Sequence, residues 1–332
     1  MNEFLKTILD GINSVIGNYG WSVIVFTALI RLVLFPFDYK SRVSMRKTTK
    51  LQPEINRLQK KYANDKDKLN RKMSELYKKE RINPLSSCLP MLLTLPVLYA
   101  MWGAMRLVAN EQLVAQVFDI LQGNTPTMES WLWIKSVWMP DSPFSAMWPD
   151  LNSLRAVMDT HIWENAFIAL GDNVSKLPES LALTVESFSK DNLQATIQAI
   201  YNALETMPAY VDATAKLPGW HFNLWITTLD VMKNYNGFYI LPILAAATQF
   251  LSSALMPQPA SNDSNAQQQA GTGAFMKWFF PLFSLWICSG YTSMFSIYWV
   301  ASNIFATVQN VGINWYLDRK DKKETSVEGT VK

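Results

Sequence analysis

Cysteine and histidine are nearly missing from this chain, with two of each in 332 residues. Cys88 and Cys288 lie in separate apolar stretches. Neither a disulfide framework nor a CxxC redox pair is available, and both read as small buried thiols. His161 and His221 stand in unrelated contexts. There is no HExxH, no glycine-rich phosphate loop and no metal-ligand cluster. No enzyme activity, cofactor or metal is therefore expected. Charge is also scarce, at 17% of residues against 49% hydrophobic. Acids are the scarcest of all in the apolar stretches, where Asp38 stands only at a border.

What is present comes in blocks, so whole-chain averages mislead. Residues 1–20 place Phe4, Leu5, Ile8, Leu9, Ile12, Val15 and Ile16 at spacings of three and four, with Lys6, Asp10 and Asn13 elsewhere on the wheel. That pattern predicts an amphipathic helix lying in a membrane interface on the outer side. No basic segment leads into an apolar stretch with a small-residue cleavage site, so a cleavable signal peptide fits poorly.

Five apolar segments follow, at 21–38, 84–106, 237–257, 275–291 and 293–317. Each is read as a transmembrane helix, at ~1.5 Å per residue across a ~30 Å hydrocarbon layer. Pro84 can open the second, while Pro90 and Pro96 should bend it. Between the first two, residues 41–82 carry fourteen basic residues against five acidic ones, a net of +9. Two sparse apolar stripes there (Leu51, Ile55, Leu58 and Leu69, Met73, Leu76, Tyr77) flank an Asn64–Asp67 turn, which predicts a helical hairpin in water. Residues 107–235 carry fourteen acids against six bases, a net of −8, with helical patterns near 151–170, 178–188 and 191–206. Trp131, Trp133, Trp138, Trp220 and Trp225 flank this region, as rings at a headgroup layer would. A polar loop (258–274) joins the third and fourth spans, and the charged tail 318–332 reads as disordered.

The basic hairpin belongs in the cytoplasm and the acidic region outside. Crossing parity then puts the N-terminus outside and the C-terminus inside, in agreement with Arg319, Lys320, Lys322 and Lys323 in the tail. The expected architecture is thus an all-α polytopic plasma-membrane protein. A cytoplasmic helical hairpin and a mainly helical extracytoplasmic region complete it.

Arg31 is the most informative residue. A mid-span arginine costs ~2.5–3.5 kcal/mol on insertion scales. It stands nine residues before Lys40, so it lies roughly 13 Å deep along the helix. No acid inside a span offsets it. Hydroxyls and amides are plentiful instead: Thr27, Ser86, Ser87, Thr94, Thr248, Gln249, Ser252, Ser253, Ser284, Ser289, Ser296, Ser302, Asn303, Thr307, Gln309 and Asn310. Thr27 shares a helix face with Arg31. Singly, such groups glue helices together. Together with an unpaired arginine they predict a wet groove open to the cytoplasm. Such a groove lowers the cost of moving unsatisfied polar groups into hydrocarbon.

Several motifs resemble one family, the YidC-type membrane-protein insertases, in the form found in Gram-positive bacteria. They are Leu76-Tyr77-Lys78-Lys79, then Asn83-Pro84-Leu85-Ser86-Ser87-Cys88-Leu89-Pro90 with Pro96 beyond, and Ile30-Arg31-Leu32 ahead of Pro36. Phe280-Pro281 and Tyr298-Trp299, followed by Asn303 and Gln309, complete the set, which covers about 200 residues in order. The resemblance implies five spans around a groove closed on the outside, and insertion of single- and double-span proteins without nucleotide hydrolysis. Arg31 matches the family's groove arginine, and the candidate client-binding groove places Thr27, Thr94, Gln249, Ser252, Ser284, Trp299, Ser302, Asn303 and Gln309 with it. The resemblance also implies recruitment by the hairpin, where Arg57, Lys60, Lys61 and Lys72 are the candidate contacts. The implied partners are nascent membrane-protein clients, the lipid bilayer, the Sec translocon and the ribosome, with no nucleic-acid sequence read. Ser87 replaces a usual glycine and Thr94 a frequent glutamine. The outer region is enlarged, 145–220 resembling an insertion, and no large domain precedes the first span, unlike the Gram-negative form. The main alternative is a small-solute or ion transporter or channel subunit. It would favour paired intramembrane charges and inverted repeats, and the sequence has neither. A third reading is a scaffold whose hairpin merely docks a cytoplasmic protein.

Overall fold

The computed structural model of this chain describes residues 1–80, 89–224, 227–255 and 266–330. Expectations placed on Asn83–Cys88, Trp225 and 258–265 lie outside the described residues, as does the Thr94 side chain. The helices are α1 (Asn2–Ile16), α2 (Tyr19–Lys50), α3 (Gln52–Lys61), α4 (Lys66–Lys79) and α5 (Leu89–Leu121). The shorter α6 (Leu151–Arg155), α7 (Thr160–Ala169), α8 (Leu193–Leu204) and α9 (Pro208–Ala213) follow. The long α10 (Ile240–Leu255), α11 (Ala266–Gly290) and α12 (Ser293–Thr330) close the chain. Among the described residues, α2 is long and apolar enough to cross a membrane by length and composition, and Ile240–Ala254 is a shorter apolar helix.

The structure corrects several expectations. The described chain is mostly helical, in keeping with the all-α expectation, apart from one ribbon in which β1 (Lys216–Leu224) and β2 (Thr227–Met232) pair antiparallel. The alternation of Trp220, Phe222 and Leu229 with His221, Asn223 and Thr228 is the period-two signal of a strand, in residue types that favour one. The 178–188 pattern is two 3₁₀ turns, Glu179–Leu181 and Val185–Phe188. Pro178 bars an α-helical Leu177, and Ala182 turns left-handed at φ +40°. Residues 318–330 of the tail are helical rather than disordered, since α12 runs on to Thr330. Its Asp318 and Asp321 bond to Arg46 on α2. Residues 266–274 are helical rather than loop. Trp138 is only 1% exposed and Trp131 is also buried, so these two rings pack inside protein and not at headgroups.

The chain divides into two compact units. The first comprises Met1–Phe26, Ala100–Leu244 and Leu285–Trp299. Its core gathers Phe118 from α5 with Trp163, Phe167, Phe188, Ile197, Ile200 and Tyr210. Trp163 stacks on Phe188 at 6.2 Å with ring planes 7° apart. The Trp163 indole donates to the Val157 carbonyl at 2.9 Å, and the Tyr210 hydroxyl to Pro149 at 2.7 Å. Burying each such ring contributes ~1.5–3 kcal/mol, with the polar atoms satisfied. Burial raises the Tyr201 phenol to about 12, aided by a hydrogen bond to Glu205. Region 145–215 is thus folded around the end of α5, sharing one aromatic core with Phe118.

Loop 129–141 organises the helix ends of this unit. The Glu129 carboxylate accepts from the Tyr19 amide (3.0 Å) and Asn18 (2.7 Å), capping α2 from outside its own chain segment. Burial raises the Glu129 pKa against the pull of the Tyr19 amide. Asp141, fully buried, accepts from the amides of Phe238 (2.8 Å), Tyr239 (3.2 Å) and Leu241 (2.6 Å). It thereby satisfies amides around the start of α10 that would otherwise be orphaned. Gly237 is obligatory here, because a Cβ would overlap the Asp141 carboxylate. Asn236 donates to the carbonyls of Ser136, Met139 and Pro140, and accepts from Ser136 at 2.7 Å. Ser293 bonds Met139 by backbone and side chain at the start of α12.

The α1 helix packs by its polar stripe. Lys6 pairs with Asp10 and with Glu111, each at 3.1 Å, and the Tyr19 hydroxyl donates to Asp10 at 3.0 Å. Burial pulls the Lys6 pKa down, but its two carboxylates raise it overall. Burial raises Glu111 despite that ammonium. Phe4 and Val15 face outward while Leu9 is buried.

The second unit comprises Thr27–Tyr99, Ala245–Ser284 and Val300–Lys332. Helices α3 and α4 form its basic hairpin. Pro53 starts α3 where a missing N–H costs nothing. The Asp65 side chain caps α4 by accepting from the Lys68 amide at 3.0 Å. Ile55 and Leu76 are its buried apolar residues.

Candidate functional site

The second unit brings Arg31 against α12. Its side chain is partly buried, and its Nη2 donates to the Ser302 hydroxyl at 2.6 Å. Seven residues further along α12, on the same face, Gln309 donates to the Arg31 carbonyl at 3.1 Å. Arg31, Ser302 and Gln309 therefore form one polar layer between the two helices. Among the described residues no carboxylate lies at ion-pair distance from Arg31, and the charge is met by a hydroxyl. Asp38 stands seven residues further along α2.

A recess of about 500 Å³ adjoins this layer, lined by Phe35, Tyr39, Gln309, Gly312, Ile313 and Tyr316. Gln309 Oε1 is buried and has no hydrogen-bond partner among the described residues. A buried amide oxygen left so is costly, and its lone pairs are available to a donor entering the recess. Asn303 faces α10 instead, donating to the Thr248 hydroxyl at 3.3 Å.

The other predicted groove residues are less concentrated. Thr27 and Ser252 are buried. Ser284 is buried and donates to the Phe280 carbonyl at 2.7 Å, an internal helix bond. The Gln249 carbonyl accepts from Ser253 at 2.9 Å, and its side chain is partly exposed. Trp299 belongs to the first unit, where its ring lies 5.6 Å from Phe295.

On the hairpin, Arg57, Lys60 and Lys61 are exposed, with Lys61 over the Tyr62 ring at 5.6 Å. Lys72 pairs with Glu75 at 2.6 Å, and this hydrogen bond raises the lysine and lowers the carboxyl. Beyond the recess, Arg46 reaches Asp318 and Asp321 (3.0 Å to the latter), and Lys50 reaches Asp321 at 2.7 Å. Sequence reading missed this clasp, because it treated 318–332 as detached. The recess-lining aromatics were equally invisible as ordinary span residues.

A helix long and apolar enough to cross a membrane, bearing a hydroxyl-bound arginine, fits the class of helical membrane proteins. The sequence pattern of the 60Kd inner membrane protein family matches residues 11–178 and 193–321. The chain belongs to that family, which includes the YidC insertases. It is 38% identical over 135 residues to a membrane protein insertase YidC of Fusobacterium nucleatum, covering 41% of this chain and 58% of that protein. Another from Anaeromyxobacter dehalogenans is 43% identical over 102 residues, 31% of this chain and 19% of that protein. One from Francisella tularensis subsp. novicida is 44% identical over 101 residues, 30% of this chain and 18% of that protein. The matches thus span at most 58% of these curated relatives.

Proposed function

We propose that this chain is a membrane-protein insertase, with five spans drawn from the apolar parts of α2, α5, α10, α11 and α12. It receives hydrophilic segments of nascent clients in the groove beside Arg31 and releases them sideways into lipid. The basic hairpin, through Arg57, Lys60, Lys61 and Lys72, lies in the cytoplasm and makes first contact. The 107–235 region lies outside, and α12 ends in the cytoplasm within reach of a ribosome. Work alone or beside the Sec translocon fits this arrangement.

The observation that carries this reading is Arg31 donating to a hydroxyl, with no ion pair among the described residues. A neutral acceptor leaves the positive charge uncompensated, so it attracts carboxylates and carbonyl oxygens of a passing segment. Moderate binding suffices, because the client must leave. A transporter would instead neutralise such a charge with an acid. The adjoining recess and the free Gln309 oxygen support entry of a hydrogen-bonding segment.

Photocrosslinking tests the proposal. A photoreactive residue at Ser302 or Gln249, with a single-span client translated alongside, should yield a client adduct. Absence of adducts from every groove position would favour the transporter or scaffold reading.

A further inference from the structure

The β-hairpin of the first unit is two-faced. Cross-strand partners share a face. His221 opposes Asp230 and Asn223 opposes Thr228, giving a polar face, on which the Thr228 hydroxyl donates to Asn223 at 2.8 Å. Phe222 opposes Leu229 on the other, apolar face, and Trp220 precedes it in the stretch of β1, between Lys216 and His221, where the register shifts. Trp220 is 59% exposed and Phe222 50%. Among the described residues the strands pair only with each other, with Phe222 meeting the Phe144 ring at 6.1 Å, and an isolated two-stranded ribbon is marginal in water. Exposed aromatics on such a ribbon need a further environment.

The hairpin base fixes where that environment lies. Met232 donates to the Pro143 carbonyl and Lys233 to that of Ala215, at 2.9 and 2.8 Å. Asn236 is tied to loop 136–140. Phe238, Tyr239 and Leu241 bond Asp141 at the start of α10. The base of the hairpin and the start of α10 are therefore held by the same stretch of chain, 136–143. The hairpin's flanking charges are neutralised, with Lys216 on Asp230 and Lys233 on Asp212, each at 2.6 Å. An aromatic pair with paired charges beside a helix end is the chemistry of the bilayer interface.

We propose that the hairpin lays Trp220 and Phe222 into the outer-leaflet headgroup layer, anchoring the 145–215 body to the lipid surface. This rests on the reading of α10 as a span with its N-terminus outside. The anchor holds the outer body down, beside the start of α10.

The test uses the full chain with Cys88→Ser and Cys288→Ser, reconstituted in phosphatidylcholine–phosphatidylglycerol vesicles. An environment-sensitive fluorophore is placed on Phe222→Cys, Thr228→Cys or Leu251→Cys in turn. The 222 label should emit to the blue and be quenched several-fold more by shallow than by deep nitroxide lipids, with the 228 label water-like. The 251 label, on an exposed position of α10, should respond to deep nitroxides. A wet 222 label with a deep 251 label overturns the anchor alone. A 251 label blind to deep nitroxides overturns the span reading and the anchor with it. Equal quenching at 222 and 228 overturns the two-faced placement. A 222 label wet in vesicles but dry in native membranes assigns the face to a protein and overturns the lipid proposal.

Discussion

Nη2 of Arg31 on α2 donates to the Ser302 hydroxyl on α12 at 2.6 Å. A guanidinium is thus held across a helix pair by a neutral acceptor. Removing that acceptor, in Ser302→Ala, should cost ~1.5–3 kcal/mol, read as a lowered thermal midpoint in detergent. Arg31→Ala should impair insertion most for clients with acidic outer tails, measured by protease protection of the inserted tail. Arg31→Lys keeps the charge but loses the fork, and should retain much of the activity. Total loss in the lysine variant would contradict a purely electrostatic role.

Asp141 predicts a stability effect without a role in client contact. Asp141→Ala orphans three amides around the start of α10 and should destabilise the protein by at least ~2 kcal/mol. Asp141→Asn keeps one acceptor oxygen and should cost less. Gly237→Ala should resemble Asp141→Ala, because its methyl displaces the same carboxylate. Thermal unfolding in detergent orders the three variants, and an unshifted midpoint in Asp141→Ala would refute the capping assignment.

The clasp between α2 and α12 should respond to salt more than to pH. The Asp321 carboxyl is held below its ordinary 3.8, chiefly by Lys50 and then by Arg46. A depressed carboxylate contributes above its unfolded pKa and loses that contribution as pH falls through the lower folded value. Across roughly pH 5–8 the contact should therefore hold. Salt near ~1 M shortens the screening length to ~3 Å and should loosen it. Spin labels on Thr49→Cys and Lys322→Cys would report broader distances at high salt and in Asp321→Asn. Broadening between neutral and mildly acidic pH at low salt would count against the clasp.

The body at 145–215 should fold around the aromatics it shares with Phe118 of α5. Trp163→Ala removes a fully buried ring and should cost ~3–5 kcal/mol, read as faster proteolysis within 150–216. Deleting 150–216 separates folding from function. If that body docks a partner or shields the closed end of the groove, client insertion falls; unchanged insertion would exclude an essential role.

Much of this was legible before coordinates. The apolar blocks, the lone Arg31 and the surplus of hydroxyls needed only composition and spacing. The missed parts share a cause. The β-hairpin was overlooked because a single period-two run of modest length is easily absorbed into a region with helical patterns on either side. Pro178 can open a helix, so the left-handed Ala182 that splits 178–188 into two turns left no local signal. Trp131 and Trp138 were placed at headgroups by residue type alone, yet loop 129–141 buries both.

By itself the sequence determined the blocks: which stretches are apolar enough to leave water, where charge of each sign lies, and that one arginine stands among them without a nearby acid. Those are properties of local composition, which the hydrophobic effect and the cost of burying charge act on directly. The tertiary structure alone decided which hydroxyl among many meets Arg31, which carboxylate caps α10, and that the tail returns to α2 as a helix. Hydrogen bonds and ion pairs are short and directional. They join residues such as Arg31 and Ser302, or Asp141 and Leu241, across separations that no local pattern records.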